Sequence, residues 1–235
     1  MHGKVLITGA SRGLGLCLAA RYLEVGGTVF ACAREPASKP LAELKEKYGG
    51  SLIPIKMDVA STEAVNKAAA AVARYTDKLD LIINNAGIHS DTSFNAIEST
   101  NLDDCVTVYD VNAVGPLRVV KSFLPLIAKS GRGLIVNISS ESGSISTAVR
   151  TREFDYCMSK AALNMGTKLL HNYLKGKGVN VVAVHPGWMR TDMGGPNADL
   201  DPYENAVQLV ELFNKIKGDT DGSVFIDNQG REHPW

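Results

Sequence analysis

Three things are missing from this 235-residue sequence: an excess of charge, a paired-cysteine spacing and a long apolar run. Lys and Arg number 25 and so do Asp and Glu, so neither nucleic acid nor an anionic membrane is an expected partner. The four cysteines, Cys17, Cys32, Cys105 and Cys157, never fall as C-x-x-C. That spacing excludes a disulfide framework and a zinc site, and no metal is expected. The thiols read as reduced, in a cytoplasmic protein. No apolar run reaches the roughly 18 residues of a membrane span. The first strand starts by Lys4, which leaves no room for a signal peptide. A G-x-x-x-x-G-K-[ST] phosphate loop is absent as well.

What is present suits one α/β domain over residues 1–235, with 45% hydrophobic and 21% charged residues. The chain is organised around Lys4-Val-Leu-Ile-Thr-Gly-Ala-Ser-Arg-Gly-Leu-Gly-Leu16. Val5 to Ile7 is an apolar run suited to a strand buried on both faces. Gly9, Gly13 and Gly15 follow, and a helix opens at Leu16-Cys17-Leu18. A strand that turns through glycines into a helix aims unsatisfied N–H groups at one spot, which attracts phosphate. The spacing is G-x-x-x-G-x-G rather than the commoner G-x-G-x-x-G.

Strand and helix patterns then alternate. Thr28–Ala33, Leu52–Met57, Leu79–Ile83, Gly133–Ser139, Val179–Val184 and Val224–Ile226 read as strands, with Pro54 arguing for an edge position. Helices are predicted over about 38–48, from the cap Ser61 through Tyr75, over 102–128 with a break near Gly115-Pro116, over 154–174 and over 202–216. The pattern predicts a Rossmann-type doubly wound parallel sheet of about seven strands with helices on both faces. Ligands sit outside the carboxyl ends of such strands. The unusual segments fall there: Gly9 to Gly15, Arg34, Asp58-Val59, Asn85 to Gly87, Ser139-Ser140 and Pro186-Gly187.

Tyr156 and Lys160 stand at i and i+4, neighbours on one helix face. An arbitrary Tyr-x-x-x-Lys is usually a solvated pair, but this one follows a strand ending in Ser139-Ser140. A phenol with pKa about 10 is a poor proton shuttle near neutrality. A cation about 4 Å away, at an effective dielectric constant near 20, favours the phenolate by up to about 4 kcal/mol. That is roughly 3 pKa units toward working pH.

Thr8-Gly-Ala-Ser-Arg-Gly-Leu-Gly15, Asn84-Asn-Ala-Gly87, Asn112, Ser140, Tyr156-x-x-x-Lys160 and Pro186-Gly187 with Thr191 stand in the order of the short-chain dehydrogenase/reductase family. The sequence resembles that family along essentially its whole length. His185-Pro-Gly-Trp-Met-Arg-Thr-Asp-Met-Gly-Gly195 looks like the branch of sniffer-like carbonyl reductases and C-factor signalling proteins. The resemblance implies an NADPH-dependent oxidoreductase that reduces an aldehyde or ketone, the alternative being a nucleotide-binding regulatory protein with little catalysis. It implies Tyr156 as general acid and base, with Lys160 lowering its pKa and bonding the nicotinamide ribose. Ser140, the second of the paired serines, orients the carbonyl, and Asn112 holds a water feeding Lys160. Cofactor contacts are implied at Gly9, Ser11, Arg12, Gly13, Leu14, Gly15, Arg34, Asp58, Val59, Asn85, Ala86, Gly87, Tyr156 and Lys160. The stretch Pro186, Gly187, Trp188, Met189 and Thr191 wraps the nicotinamide.

Three further expectations follow. Neutral Ala33 stands where NAD-specific folds carry an acid, and Arg34 and Arg12 are placed to grip a 2′-phosphate. A homodimer is expected through Val108, Val119, Phe123, Met165 and Leu169. Ile88, Phe94, Ile145, Trp188 and Met193 are pocket candidates or core residues, and 141–155, with Arg150, Arg152 and Glu153, reads as a solvated loop ahead of a pocket wall.

Overall fold

A computed structural model describes residues 3–235. Seven strands, β1 Lys4–Thr8, β2 Thr28–Ala33, β3 Leu52–Lys56, β4 Leu81–Asn84, β5 Gly133–Ile138, β6 Val179–His185 and β7 Phe225–Asp227, form one sheet. Its order is β3-β2-β1-β4-β5-β6-β7 and every pairing is parallel. The strands read as unbroken apolar runs because both faces are covered. Chain order reverses between β1 and β4, which opens a crevice at their carboxyl ends. β3 lies at the edge, where Pro54, opposite Ala31, is tolerated.

The helices are α1 Gly13–Glu24, α2 Lys39–Tyr48, α3 Thr62–Ala73, α4 Asp104–Tyr109, α5 Gly115–Ile127, α6 Phe154–Leu174 and α7 Pro202–Ile216. Alternation along β1 sorts them into two cores. Val5 and Ile7 pack with Leu18 of α1, Leu41 of α2 and Phe213 of α7. Leu6 faces the other way, with Val65 of α3, Phe123 of α5 and Leu174 of α6.

Two expectations are corrected and one is made more precise. β4 begins at Leu81 rather than Leu79; Leu79 is fully buried, but its N–H donates to the Leu126 carbonyl at 3.0 Å instead of joining the ladder. The helix over 102–128 is interrupted near Gly115-Pro116, but not by the proline. Pro116 sits in the first turn of α5, and the irregularity is a π-helical segment just before it, Asp110–Val114, that carries Asn112. Val108, Val119 and Phe123 are at most 1% exposed and face the sheet, so they offer no surface to a second copy. They also explain why the run Asp104–Ser130, apolar and long enough on composition to cross a membrane, has half of its most apolar stretch buried in the fold.

Candidate active site

The crevice is built first from backbone. Gly9 has φ +65° and Gly13 φ +53°, conformations that side chains resist. A Cβ on Gly15 would stand 2.3 Å from the Gly9 carbonyl oxygen and 2.5 Å from the Asn85 amide nitrogen, so the helix and strand approach as closely as they do only through glycine. The start of α1 has no side-chain cap and no acidic residue in its first turn, and its N–H groups are left for an anion. The end of β4 is locked onto this turn. The Thr8 hydroxyl accepts from the Asn85 and Ala86 N–H groups at 3.0 Å each, and the Asn85 side chain donates to the Thr8 carbonyl at 3.0 Å. This cradle fits a dinucleotide pyrophosphate.

At the end of β2, Ala33 is buried and Arg34 exposed; the nearest carboxylate along the chain, Glu35, is exposed one residue further on, ahead of Pro36. Arg12, in the glycine turn, already has a partner. Its guanidinium donates to Asp192 at 2.7 Å, with both side chains exposed. Such a pair contributes about 0–1 kcal/mol and exchanges readily for a stronger anion. Ser11 and Leu14 complete the turn, Leu14 with its side chain in the core. Asp58 turns its carboxylate onto the Ala60 N–H at 2.9 Å, and Val59 packs where a Cβ on Gly115 would meet it at 3.1 Å. On the far side, Thr191 lies over Gly13, 3.6 Å from where a Cβ would be, and Trp188 Nε1 donates to the Gly194 carbonyl at 2.8 Å. Pro186 and Met189 are tied to Asn205 of α7 through the Pro186 carbonyl and the Met189 sulfur.

The four residues of the second half converge. Ser139 is buried and donates to Asn164 Oδ1 at 2.6 Å, so its hydroxyl is turned into α6. Ser140 instead stays on the crevice side: its hydroxyl donates to the Ser142 hydroxyl at 3.0 Å, accepts from the Ser142 N–H at 3.1 Å, and lies near enough to the Tyr156 phenol to lower its pKa. Lys160, 4% exposed, donates to the Ile138 carbonyl at 2.8 Å and lies 5.4 Å from the centre of the Tyr156 ring. A Cβ on Gly87 would come within 3.7 Å of Lys160 Nζ and 3.3 Å of Asn112 Oδ1, so the cradle and the Tyr–Lys pair share one wall. The Asn112 amide is engaged by the Ile88 N–H and carbonyl, both at 2.8 Å, and by the Ser159 hydroxyl at 2.9 Å. The side chain therefore fixes the loop after β4 to α6.

Burial pushes the Tyr156 phenol up from its ordinary value. The Ser140 hydrogen bond pulls it back, Glu153 and Glu141 raise it, and Arg150 opposes them. Burial brings the Lys160 ammonium down to about 8. Loss of solvent thus moves the two groups in opposite directions, the phenol up and the ammonium down.

Two contributors had no clear sequence signal. Asp155 is buried and accepts from the Ser90 N–H at 2.8 Å and the Ser93 hydroxyl at 2.6 Å. Burial disfavours its charge, but the hydrogen bonds from Ser93 and Ser90 prevail and hold the carboxyl below its usual range. Its partners lie over 60 residues away, beyond any local pattern. Arg150 pairs with both Glu141 and Glu153, so the 141–155 loop is not simply solvated, although Ile145 and Val149 are highly exposed. Of the pocket candidates, Phe94, Ile145, Trp188 and Met193 stay out of the core at 40–80% exposure, and Ile88 is half-buried.

The sheet order, the glycine cradle and the Ser140–Tyr156–Lys160 cluster define an α/β dinucleotide-binding oxidoreductase. The sequence model described as short chain dehydrogenase matches residues 3–200, and the chain belongs to the short-chain dehydrogenase/reductase family. An uncharacterized oxidoreductase of Schizosaccharomyces pombe is 38% identical, covering 97% of this chain and 96% of its own. The structure of the carbonyl reductase Sniffer of D. melanogaster superposes with TM-score 0.91 at 29% identity, each chain covered fully. An NADPH-bound carbonyl reductase from chicken fatty liver superposes with TM-score 0.89 at 31% identity, covering 100% of this chain and 99% of that one.

Proposed function

We propose that this protein is an NADPH-dependent carbonyl reductase that converts an aldehyde or ketone to an alcohol. The observation that carries the reading is the placement of Ser140 and Tyr156 hydroxyls side by side, with Lys160 behind them and the glycine cradle sharing the Gly87 wall. Likeness to the NADPH-bound carbonyl reductase supports it. The cradle's N–H groups would hold the pyrophosphate, Arg34 the 2′-phosphate with Arg12 joining it on release from Asp192, and the 186–191 segment would line the nicotinamide end. The bound cofactor supplies the hydride.

The chain's own residues supply the rest. Ser140 donates a hydrogen bond to the substrate oxygen and holds it beside Tyr156. Tyr156, kept protonated by burial, gives its proton to that oxygen as negative charge develops there. Lys160 is the next proton holder and, at about 8, changes charge within the working range. Asn112 and Asp155 fix the loop that faces these groups. Phe94, Ile145, Trp188 and Met193, all exposed, are the apolar side chains we assign to the binding of hydrophobic carbonyls. We further assign a homodimer to the exposed apolar residues Val106 of α4 and Met158, Met165, Leu169 and Tyr173 of α6, and a reducing compartment to the four free cysteines.

The test is NADPH oxidation against a panel of aldehydes, ketones and quinones. Turnover with apolar carbonyls is the expected result. Tight NADPH binding with no turnover on any of them would instead indicate a nucleotide-binding regulatory role.

A further inference from the structure

The serine and the tyrosine stand on different elements, and two attachments hold those elements together. Ser140 opens the short 3₁₀ turn Glu141–Gly143, and Tyr156 lies in the first turn of α6. The inner attachment is backbone packing. A Cβ on Gly143 would stand 2.7 Å from the Lys160 carbonyl carbon, and Asn164 donates to the Gly143 carbonyl at 3.1 Å. The outer attachment is Arg150. Its Nη2 bonds Glu141, the residue after Ser140, and its Nη1 bonds Glu153, the residue that precedes α6.

Glu153 carries a second sign of constraint. Among the described residues it is the only non-glycine with positive φ, at 61°. That conformation is unfavourable for a residue with a side chain and persists only where its surroundings hold it. Here its N–H donates to the Ser93 carbonyl at 2.7 Å, its carbonyl accepts from the Cys157 N–H at 2.8 Å, and its carboxylate is held by Arg150. The Glu153 side chain is only 14% exposed, so removal of the guanidinium would strand a largely buried carboxylate.

We propose that Arg150 is a positioning residue: it staples the Ser140 turn to the start of α6 and sets the charge around the Tyr156 hydroxyl. The proposal rests on the reading of Tyr156 as proton donor. The charged groups around that hydroxyl are Glu141, Glu153 and Arg150 on the loop side and Lys160 on its own helix. His185 stands behind Glu141, whose N–H donates to its Nδ1 at 3.2 Å, while Asp155 is turned away toward Ser90 and Ser93. With the guanidinium gone, two carboxylates are left facing the phenol, and both resist its ionisation.

The test compares wild type with Arg150→Gln, Arg150→Lys and the triple variant Arg150→Gln/Glu141→Gln/Glu153→Gln. For Arg150→Gln, kcat falls about tenfold to hundredfold through lost alignment, while the Kd for NADPH is unchanged. The ionisation limiting alcohol oxidation on its acid side rises by about half a pH unit or more. Arg150→Lys recovers part of kcat. The triple variant returns the pH profile to its original place but stays slow, a split that a purely structural defect would not give. Wild-type kcat in Arg150→Gln, or a pH profile that does not move, overturns the proposal. Hydrogen exchange judges the staple without turnover: in Arg150→Gln, amides of 142–144 and of the first turn of α6 exchange faster together. Faster exchange confined to 145–152 also overturns it, whereas a wild type inert toward every carbonyl would defeat the reductase reading alone.

Discussion

At Lys160 the fold removes solvent from an ammonium and returns one protein hydrogen bond, to the Ile138 carbonyl. The charged form is therefore less favourable than in water, and the group titrates at about 8. Tyr156, a few ångströms away, moves the opposite way for the same reason, since its charged form is the anion. A phenol pushed up by burial is a weaker acid than in water, so the proposed proton delivery by Tyr156 depends on the negative charge that develops on the substrate oxygen beside it. The sign of the pH dependence follows. Lys160 carries its proton below about 8 and loses it as the pH rises through that value. At saturating NADPH, kcat for carbonyl reduction is expected to be level below that point and to fall above it. A pH–rate series checks this, and a profile that stays level up to the ordinary lysine range would refute the proton-reserve role.

The elements deliver these residues by different routes, and sequence pattern reports only some of them. The alternation of strands and helices, the edge place of β3 and the cap at Ser61 follow from apolar periodicity, Pro54 and a hydroxyl before a helix. The π-helical turn at Asn112 does not: the neighbouring Gly115-Pro116 looks like a helix break, and only three-dimensional packing decides where the irregularity falls. Likewise, Ser139 and Ser140 are equivalent in a pattern but opposite on a strand end, one bonded to Asn164 and one facing Tyr156. Asp155 escaped, and the pairing of Arg150 was missed, for a related reason. The partners of Asp155 come from a distant loop, and a loop arginine between two acids has no periodic signature. Local chemistry is more direct at β2, where neutral Ala33 closes the strand and exposed Arg34 follows it, with Glu35 one residue beyond. Charge-assisted contacts of about 1.5–3 kcal/mol there give NADPH a tenfold to hundredfold advantage over NADH. Comparing kcat/KM for the two cofactors in wild type and Ala33→Asp/Arg34→Leu measures it. Equal use of both by wild type, or no movement toward NADH in the variant, would remove Arg34 from the role.

For the whole molecule, the surface of α4 and α6 is the part that the monomer does not explain. Val106, Met165, Leu169 and Tyr173 are 61–73% exposed, while the apolar residues one or two turns away are buried against the sheet. A pairing of this face with a second copy would remove them from water at about 25 cal/mol per Å². Light scattering at micromolar concentration is expected to give a dimer, and Leu169→Asp is expected to give a monomer; a wild-type monomer would exclude the pairing. The central claim is chemical and concerns one oxygen atom. Tyr156→Phe removes the phenolic hydroxyl and leaves the cradle, Arg34 and Lys160 in place. Measured side by side with wild type, the variant is expected to keep the Kd for NADPH within about twofold while kcat for carbonyl reduction falls by about 10² or more. A Tyr156→Phe protein that retains most of its kcat would contradict the assignment of proton transfer to this residue.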